Sequence, residues 1–186
     1  MSIIEAGSCA QIDRIAKRLK VLGLPICGIA DNDPTQPSQS VEGWGVSCDS
    51  FVIWPRHDHV YDLEGILAFG SPLDGILSSI AAILSASEEQ SFCQAVINAA
   101  AAIDRTTALP WFTGLQLKPL TIEGLQSPMQ KQTVVPNETM RAILKRAMSA
   151  TLKHRRSMRL LASAMPLADV PVLLDHALSV VGGESP

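Results

Sequence analysis

The sequence predicts an α/β protein: a parallel sheet in the N-terminal third and a mostly helical C-terminal part. Three observations predict it. Short apolar runs alternate with one helix-period segment over residues 1–54. From Ser71 onward the composition shifts to long stretches rich in Ala, Leu and Ile, and strand punctuation is lost. Of the 186 residues 47% are apolar and only 18% charged, a balance that buries a core and excludes a disordered chain. The division this implies is residues 1–70 as the α/β core and 71–186 as a helical insertion with a C-terminal helical segment packing on that core.

The elements follow in order. "SIIEAGS" is an apolar strand closed by Gly7. Ser8 to Leu22 places Ile12, Ile15, Ala16, Leu19 and Leu22 at helical spacing, with Arg14, Lys17, Arg18 and Lys20 mainly on the other side. Gly23 and Pro25 stop that helix. "ICGIA" is a second strand, apolar throughout, as in a strand covered on both faces. Such a strand–helix–strand unit is expected to be parallel and right-handed. Residues 34–49 form a loop, "SFVIW" a third strand, and "VYDLEGILAFG" a short strand or strand end. "PLDGILSSIAAILSAS" and "EEQSFCQAVINAAAAIDR" are two helices joined around Ser87. Residues 106–136 contain Pro110, Pro119, Pro128 and Pro136 without clear periodicity and read as a loop or lid. Asn137 to about Met165 is helical with a break near His154, and Pro171 opens a last helix that ends at Gly182 and Gly183.

Several function classes drop out. Cys9, Cys27, Cys48 and Cys93 contain no CxxC pair, which argues against a structural zinc site. The charged start "MSIIEAGSCAQIDRIAKR" is unlike a secretory signal, and the apolar stretches are too short and Ala/Ser-rich to span a bilayer. The setting these features predict is cytoplasmic and reducing, without disulfides and without a membrane partner. The net charge of −3 exerts no global pull on nucleic acid. Locally, Arg141, Lys145, Arg146, Lys153, Arg155, Arg156 and Arg159 gather seven of the fifteen basic residues, fitting either a DNA backbone track or a solvated helix face. His57 and His59 read as loop residues, and Trp44, Trp54 and Trp111 as core or loop anchors.

The acids carry the chemistry. "ICGIADNDP" ends an apolar strand with Asp31 and Asp33, one residue apart. In extended chain such side chains point the same way, and two carboxylates so placed repel unless a cation or proton lies between them. Hard oxygen donors of this kind suit Mg²⁺ or Mn²⁺, with waters and a substrate phosphate completing the shell. Asp62 and Glu64 in "YDLEG" repeat the spacing. Two such pairs at one sheet edge would suit metal-assisted phosphodiester cleavage.

"SIIEAGSCAQIDRIAKRLKVLGLPICGIADNDP" followed by "FVIWPRHDHVYDLEGIL" resembles the later part of a TOPRIM domain, in particular that of the overcoming-lysogenization-defect (OLD) nucleases. The tail "RRSMRLLASAMPLADVPVLLDHALSVV" is similar to the closing segment of that family. The resemblance spans residues ~1–70 and ~150–181 and rests on the order of its motifs. It implies a Rossmann-like parallel sheet and metal ligands at Asp31, Asp33 and Glu64, with Asp62 where the family often has Ser. The family's catalytic Lys falls near Arg155 or Arg156, with Lys153 the nearest lysine. It also implies DNA as substrate. The family's first-strand Glu has no counterpart unless Glu5 serves, and no G-x-x-x-x-G-K-[ST] loop is present. The implied domain is therefore truncated and partner-dependent, with an ATPase partner chain or a second copy completing it, or it is an inactive nucleic-acid- or protein-binding module. A further alternative is similar to haloacid-dehalogenase-like phosphatases: "DNDPT" matches their D-x-D-x-T motif, with Asp31 as nucleophile and Asp33 as acid/base. Gln36 stands where that family has an apolar residue.

Overall fold

A computed structural model of the chain describes residues 9–32, 43–54, 60, 62–115, 120–152, 161, 164–166, 168 and 171. Within these it is mixed α/β, with a small two-strand parallel sheet and otherwise helices. The described residues fall into two compact units, one within 9–63 and the other Glu64–Pro171. The predicted strand "SIIEAGS" and the predicted last helix lie outside the described residues, as does the region of the break near His154.

In the first unit, α1 (Cys9–Lys20) buries Ala16 and carries Lys17, Arg18 and Lys20 in its last turn, where cations complement the helix dipole. It ends in a turn closed by Leu22 N–H on Leu19 C=O (2.9 Å) and Gly23 N–H on Lys20 C=O (3.0 Å). Gly23 sits there at φ +71°, a left-handed conformation natural only to glycine. Strands β1 (Cys27–Ala30) and β2 (Ser50–Ile53) pair in parallel, with Cys27 opposite Ser50 and Ala30 opposite Ile53. Gly28 lets three neighbours close in: a Cβ there would meet Phe51 Cδ2 at 2.8 Å, Cys48 Sγ at 3.0 Å and Ile12 Cγ2 at 3.2 Å. One expectation is corrected. β1 is not covered on both faces, since Gly28 and Ala30 are buried while Cys27 and Ile29 are exposed. Ile12 of α1 packs on the Gly28 side, so the apolar run alternates in burial despite its uniform composition.

Two carboxylates bind α1 to the sheet's amino edge. Asp13 Oδ1 accepts Ser47 N–H (2.9 Å) and its Oδ2 pairs with Lys17 (2.7 Å). Asp49 Oδ2 accepts Ile26 N–H (2.8 Å) and its Oδ1 pairs with Lys20 (3.0 Å). These contacts hold both carboxyls below the ordinary Asp range, Asp13 chiefly through Lys17 and Asp49 chiefly through the Ile26 N–H.

The second unit is helical. It contains α2 (Leu63–Gly70, entering at Glu64), α3 (Leu73–Ile83), α4 (Ala86–Ile103), α5 (Ala108–Gly114), α6 (Ile122–Lys131) and α7 (Asn137–Thr151). Its core is α4 packed on α7: Phe92, Cys93, Val96, Ala99 and Ala100 bury one stripe, and Met140, Ile143, Leu144, Ala147 and Met148 the other. Burial pushes the Cys93 thiol up to about 12.

Three further expectations are corrected. "VYDLEGILAFG" is helical from Leu63: Leu63, Leu67 and Ala68 are good helix formers and Glu64 in the first turn complements the helix N-terminus. The α3–α4 junction falls at Ser85 rather than Ser87, since the Ser85 N–H donates to Glu88 Oε2 (2.9 Å) in a capping box. Residues 106–136 hold two helices rather than a loop or lid. α5 starts after a turn in which the Asp104 carboxylate accepts Thr107 N–H (2.9 Å), which also lowers that carboxyl's pKa. α6 starts where Glu89 Oε1 accepts Ile122 N–H (2.7 Å) and Thr121 Oγ1 accepts Gly124 N–H (3.1 Å). Pro110 lies in the first turn of α5, where its missing N–H is unneeded, and α6 tolerates Pro128 because Ile122, Leu125 and Met129 anchor it.

Two outcomes test this account. The ionised forms of Asp13 and Asp49 stabilise the first unit above about pH 4, and that contribution is lost as pH falls through their lowered pKa values. The wild type should therefore lose more thermal stability between about pH 6 and about pH 3 than Asp13→Asn/Asp49→Asn, followed through buried Trp44 and Trp54. Parallel pH curves would contradict the assignment. In the second unit Phe92, fully buried, should cost about 3–5 kcal/mol when changed to Ala, read by denaturant unfolding; a loss below about 1 kcal/mol would move the core elsewhere.

Candidate functional site

Asp31 follows Ala30 at the carboxyl end of β1 and is exposed. Its backbone C=O receives the Cys9 thiol at 3.9 Å, and Cys9 is the first residue of α1. The strand's carboxyl end and the helix's amino end therefore meet at Asp31. Burial, and after it the Asp31 carboxylate, raises the Cys9 thiol pKa. Asn32 Nδ2 donates to Trp54 C=O at 3.0 Å, which ties the residue after Asp31 to the end of β2. Sequence reasoning missed both Cys9 and Asn32. Position at an element end was the available signal, since either side chain reaches across from the neighbouring element.

Asp33 lies outside the described residues, as do Glu5, His57, His59, Lys153, Arg155, Arg156 and Arg159. Asp62 immediately precedes α2 in the first unit, and Glu64 opens the second unit in the first turn of α2, 7% exposed. The same-face argument for this pair assumed extended chain. At Glu64 the chain is already helical, where residues two apart do not share a face. Among the described residues no group of three or more His, Cys, Asp and Glu side chains converges.

The basic stretch separates into different roles. Arg141 Nη1 donates to Ala68 C=O (2.7 Å) and Ser71 C=O (2.9 Å), capping the carboxyl end of α2, and burial lowers its pKa. Lys145 is buried at 8% exposure, while Arg146 is exposed. Within the basic stretch 141–159, Arg141 and Lys145 therefore do not face solvent, as both the DNA-track and the solvated-face readings required. Trp44 and Trp54 are buried anchors, as expected, and Trp111 stacks edge-on against Phe112 with centroids 4.8 Å apart.

A separate cleft of about 360 Å³ lies in the second unit, lined by Asp74, Ser78, Gln126, Gln130, Ala164 and Pro166 among others. Gln126 Nε2 closes one side through Ser78 Oγ (2.9 Å) and Asp74 C=O (3.3 Å). No residue singled out from the sequence lines it. Comparison with family models, with curated proteins and with solved structures returned no match.

Arg141→Met should destabilise the second unit by about 1.5–3 kcal/mol, the value of charge-assisted bonds to carbonyls. Arg146→Met should stay within about 0.5 kcal/mol. Denaturant titration of both variants checks this, and equal effects would remove the capping role.

Proposed function

We propose that the chain is a metal-dependent DNA endonuclease-like domain of the TOPRIM type found in OLD nucleases, hydrolysing phosphodiesters with Mg²⁺ or Mn²⁺. The observation that carries this reading is the meeting of the β1 carboxyl end with the α1 amino end at Asp31. In open α/β sheets ligands gather at strand carboxyl ends, and a helix amino end favours phosphate. The exposed carboxylate and the anchored Asn32 provide a start for a cation site there.

In this reading Asp31 and Asp33 hold the cation through hard oxygen donors; Glu64 and Asp62 enter the ligand set only as the family resemblance implies. Arg156 offsets charge on the phosphate. The bound cation supplies Lewis-acid polarisation of the phosphoryl group and stabilisation of the leaving oxygen. The further acid that the family places on its first strand is Glu5, or comes from a partner ATPase chain or a second copy.

Cleavage of supercoiled and linear DNA with Mg²⁺ or Mn²⁺ tests this, with Asp31→Ala and Glu64→Gln alongside the wild type. Activity should fall by at least about a hundredfold in both variants, and Mn²⁺ binding should weaken in Asp31→Ala. DNA binding without cleavage under any metal would instead support a binding module. Absence of both metal and DNA binding would remove the proposal.

A further inference from the structure

The end of α1 away from Asp31 leaves aliphatic side chains in water. Val21 is 85% exposed, Leu22 67% and Leu24 55%, all in the turn around Gly23. Val46 is 73% exposed, next to Ser47, which Asp13 and Lys20 both engage. Isolated exposed aliphatics are ordinary, but Val21, Leu22 and Leu24 in one turn are not. The solvent face of α1 leads to this tip through Arg14, Lys17 and Arg18, all exposed, and Val21 continues their i, i+3, i+4, i+7 spacing. Lys17 and Lys20 are paired with Asp13 and Asp49, so Arg14 and Arg18 carry the stripe's excess positive charge.

We propose that this tip docks the first unit on an anionic phospholipid surface. The aliphatic side chains of the turn enter the headgroup–acyl boundary while Arg14 and Arg18 face the lipid phosphates. Each alternative occupant satisfies only half of the pattern. A second copy would cover the aliphatics but set cationic stripes against each other. A nucleic-acid backbone would match the arginines but leave Val21, Leu22 and Leu24 in water. A lipid surface takes both, in the manner of an interfacial cationic amphipathic element. No described helix is long and apolar enough to cross a membrane; lying on one requires none. The expectation of no membrane partner rested on spanning segments alone. This inference is independent of the nuclease reading, because the tip lies at the amino edge of β1 and Asp31 at its carboxyl edge.

The test is co-sedimentation of the full chain with phosphatidylcholine vesicles, with or without about one-third phosphatidylserine. The wild type should bind the anionic vesicles, and binding should weaken as NaCl rises from about 0.05 to about 0.5 M. Leu22→Asp/Leu24→Asp should lower partitioning at least about tenfold, and Arg14→Gln/Arg18→Gln by about tenfold or more. All four positions are exposed, so the variants should fold, which circular dichroism checks. No vesicle binding overturns the proposal, as does equal binding by wild type and both variants. Self-association that the aspartate variant abolishes, without vesicle binding, overturns it in favour of a second copy. Loss of DNA binding with vesicle binding intact in the arginine variant assigns the stripe to nucleic acid and likewise overturns it.

Discussion

Every helix leaves unpaired backbone N–H groups at one end and C=O groups at the other, and this chain resolves much of that constraint with ionised side chains. Charged residues make up only 18% of the sequence, yet five of them hold backbone groups at element ends. Glu88 takes the N–H of Ser85, Glu89 that of Ile122, Asp104 that of Thr107 and Asp49 that of Ile26. Arg141 performs the complementary task on two carbonyls at the end of α2. Element boundaries follow from these contacts. α6 can start where it does because α4 supplies a carboxylate to its amino end, and the α4–α5 turn closes on Asp104.

This constraint explains what the sequence discloses and what it withholds. α1 was legible because its apolar residues repeat at helical spacing and Gly23 stands at its end. β1, β2 and α4 were legible for similar local reasons. The strand–helix order bore on "SIIEAGS" and β1, the first of which lies outside the described residues; among the described residues the parallel pair is β1 with β2. α6 was obscured because one of its amino-terminal caps is Glu89, 33 residues away. No window of sequence contains that contact, and four nearby prolines suggested a loop. α2 was misread for another reason: a short apolar run bears no periodicity, and strand and helix then look alike.

The candidate site was legible in part. The acid pair at the end of β1 was visible as a motif, and Asp31 stands at that carboxyl edge. Its surroundings were not visible, since Cys9 reaches Asp31, and Asn32 reaches Trp54, across 22 positions each. The basic stretch shows the opposite failure. Charge was plain in the sequence, but Arg141 turns to carbonyls at the end of α2, 73 and 70 positions away. Arg141 and Lys145 look inward although composition alone suggested a cationic surface.

α1 relates the two proposals about the first unit. A helix has a positive amino end and a negative carboxyl end. Here the amino end meets Asp31, where partial positive charge favours a carboxylate or a phosphate over bare repulsion between acids. The carboxyl end carries Lys17, Arg18 and Lys20, which offset its negative charge and so let a cationic face persist beside exposed aliphatics. Asp13 and Asp49 hold this helix to the turn at 43–49 and to the start of β1. A change at either carboxylate would therefore disturb the register between α1 and β1 that brings Cys9 to Asp31. It would also disturb the turn that presents Val21 to Leu24. The same polar contacts fix both ends, which is why a metal effect and a lipid effect must be separated with residues outside the Asp13 and Asp49 contacts.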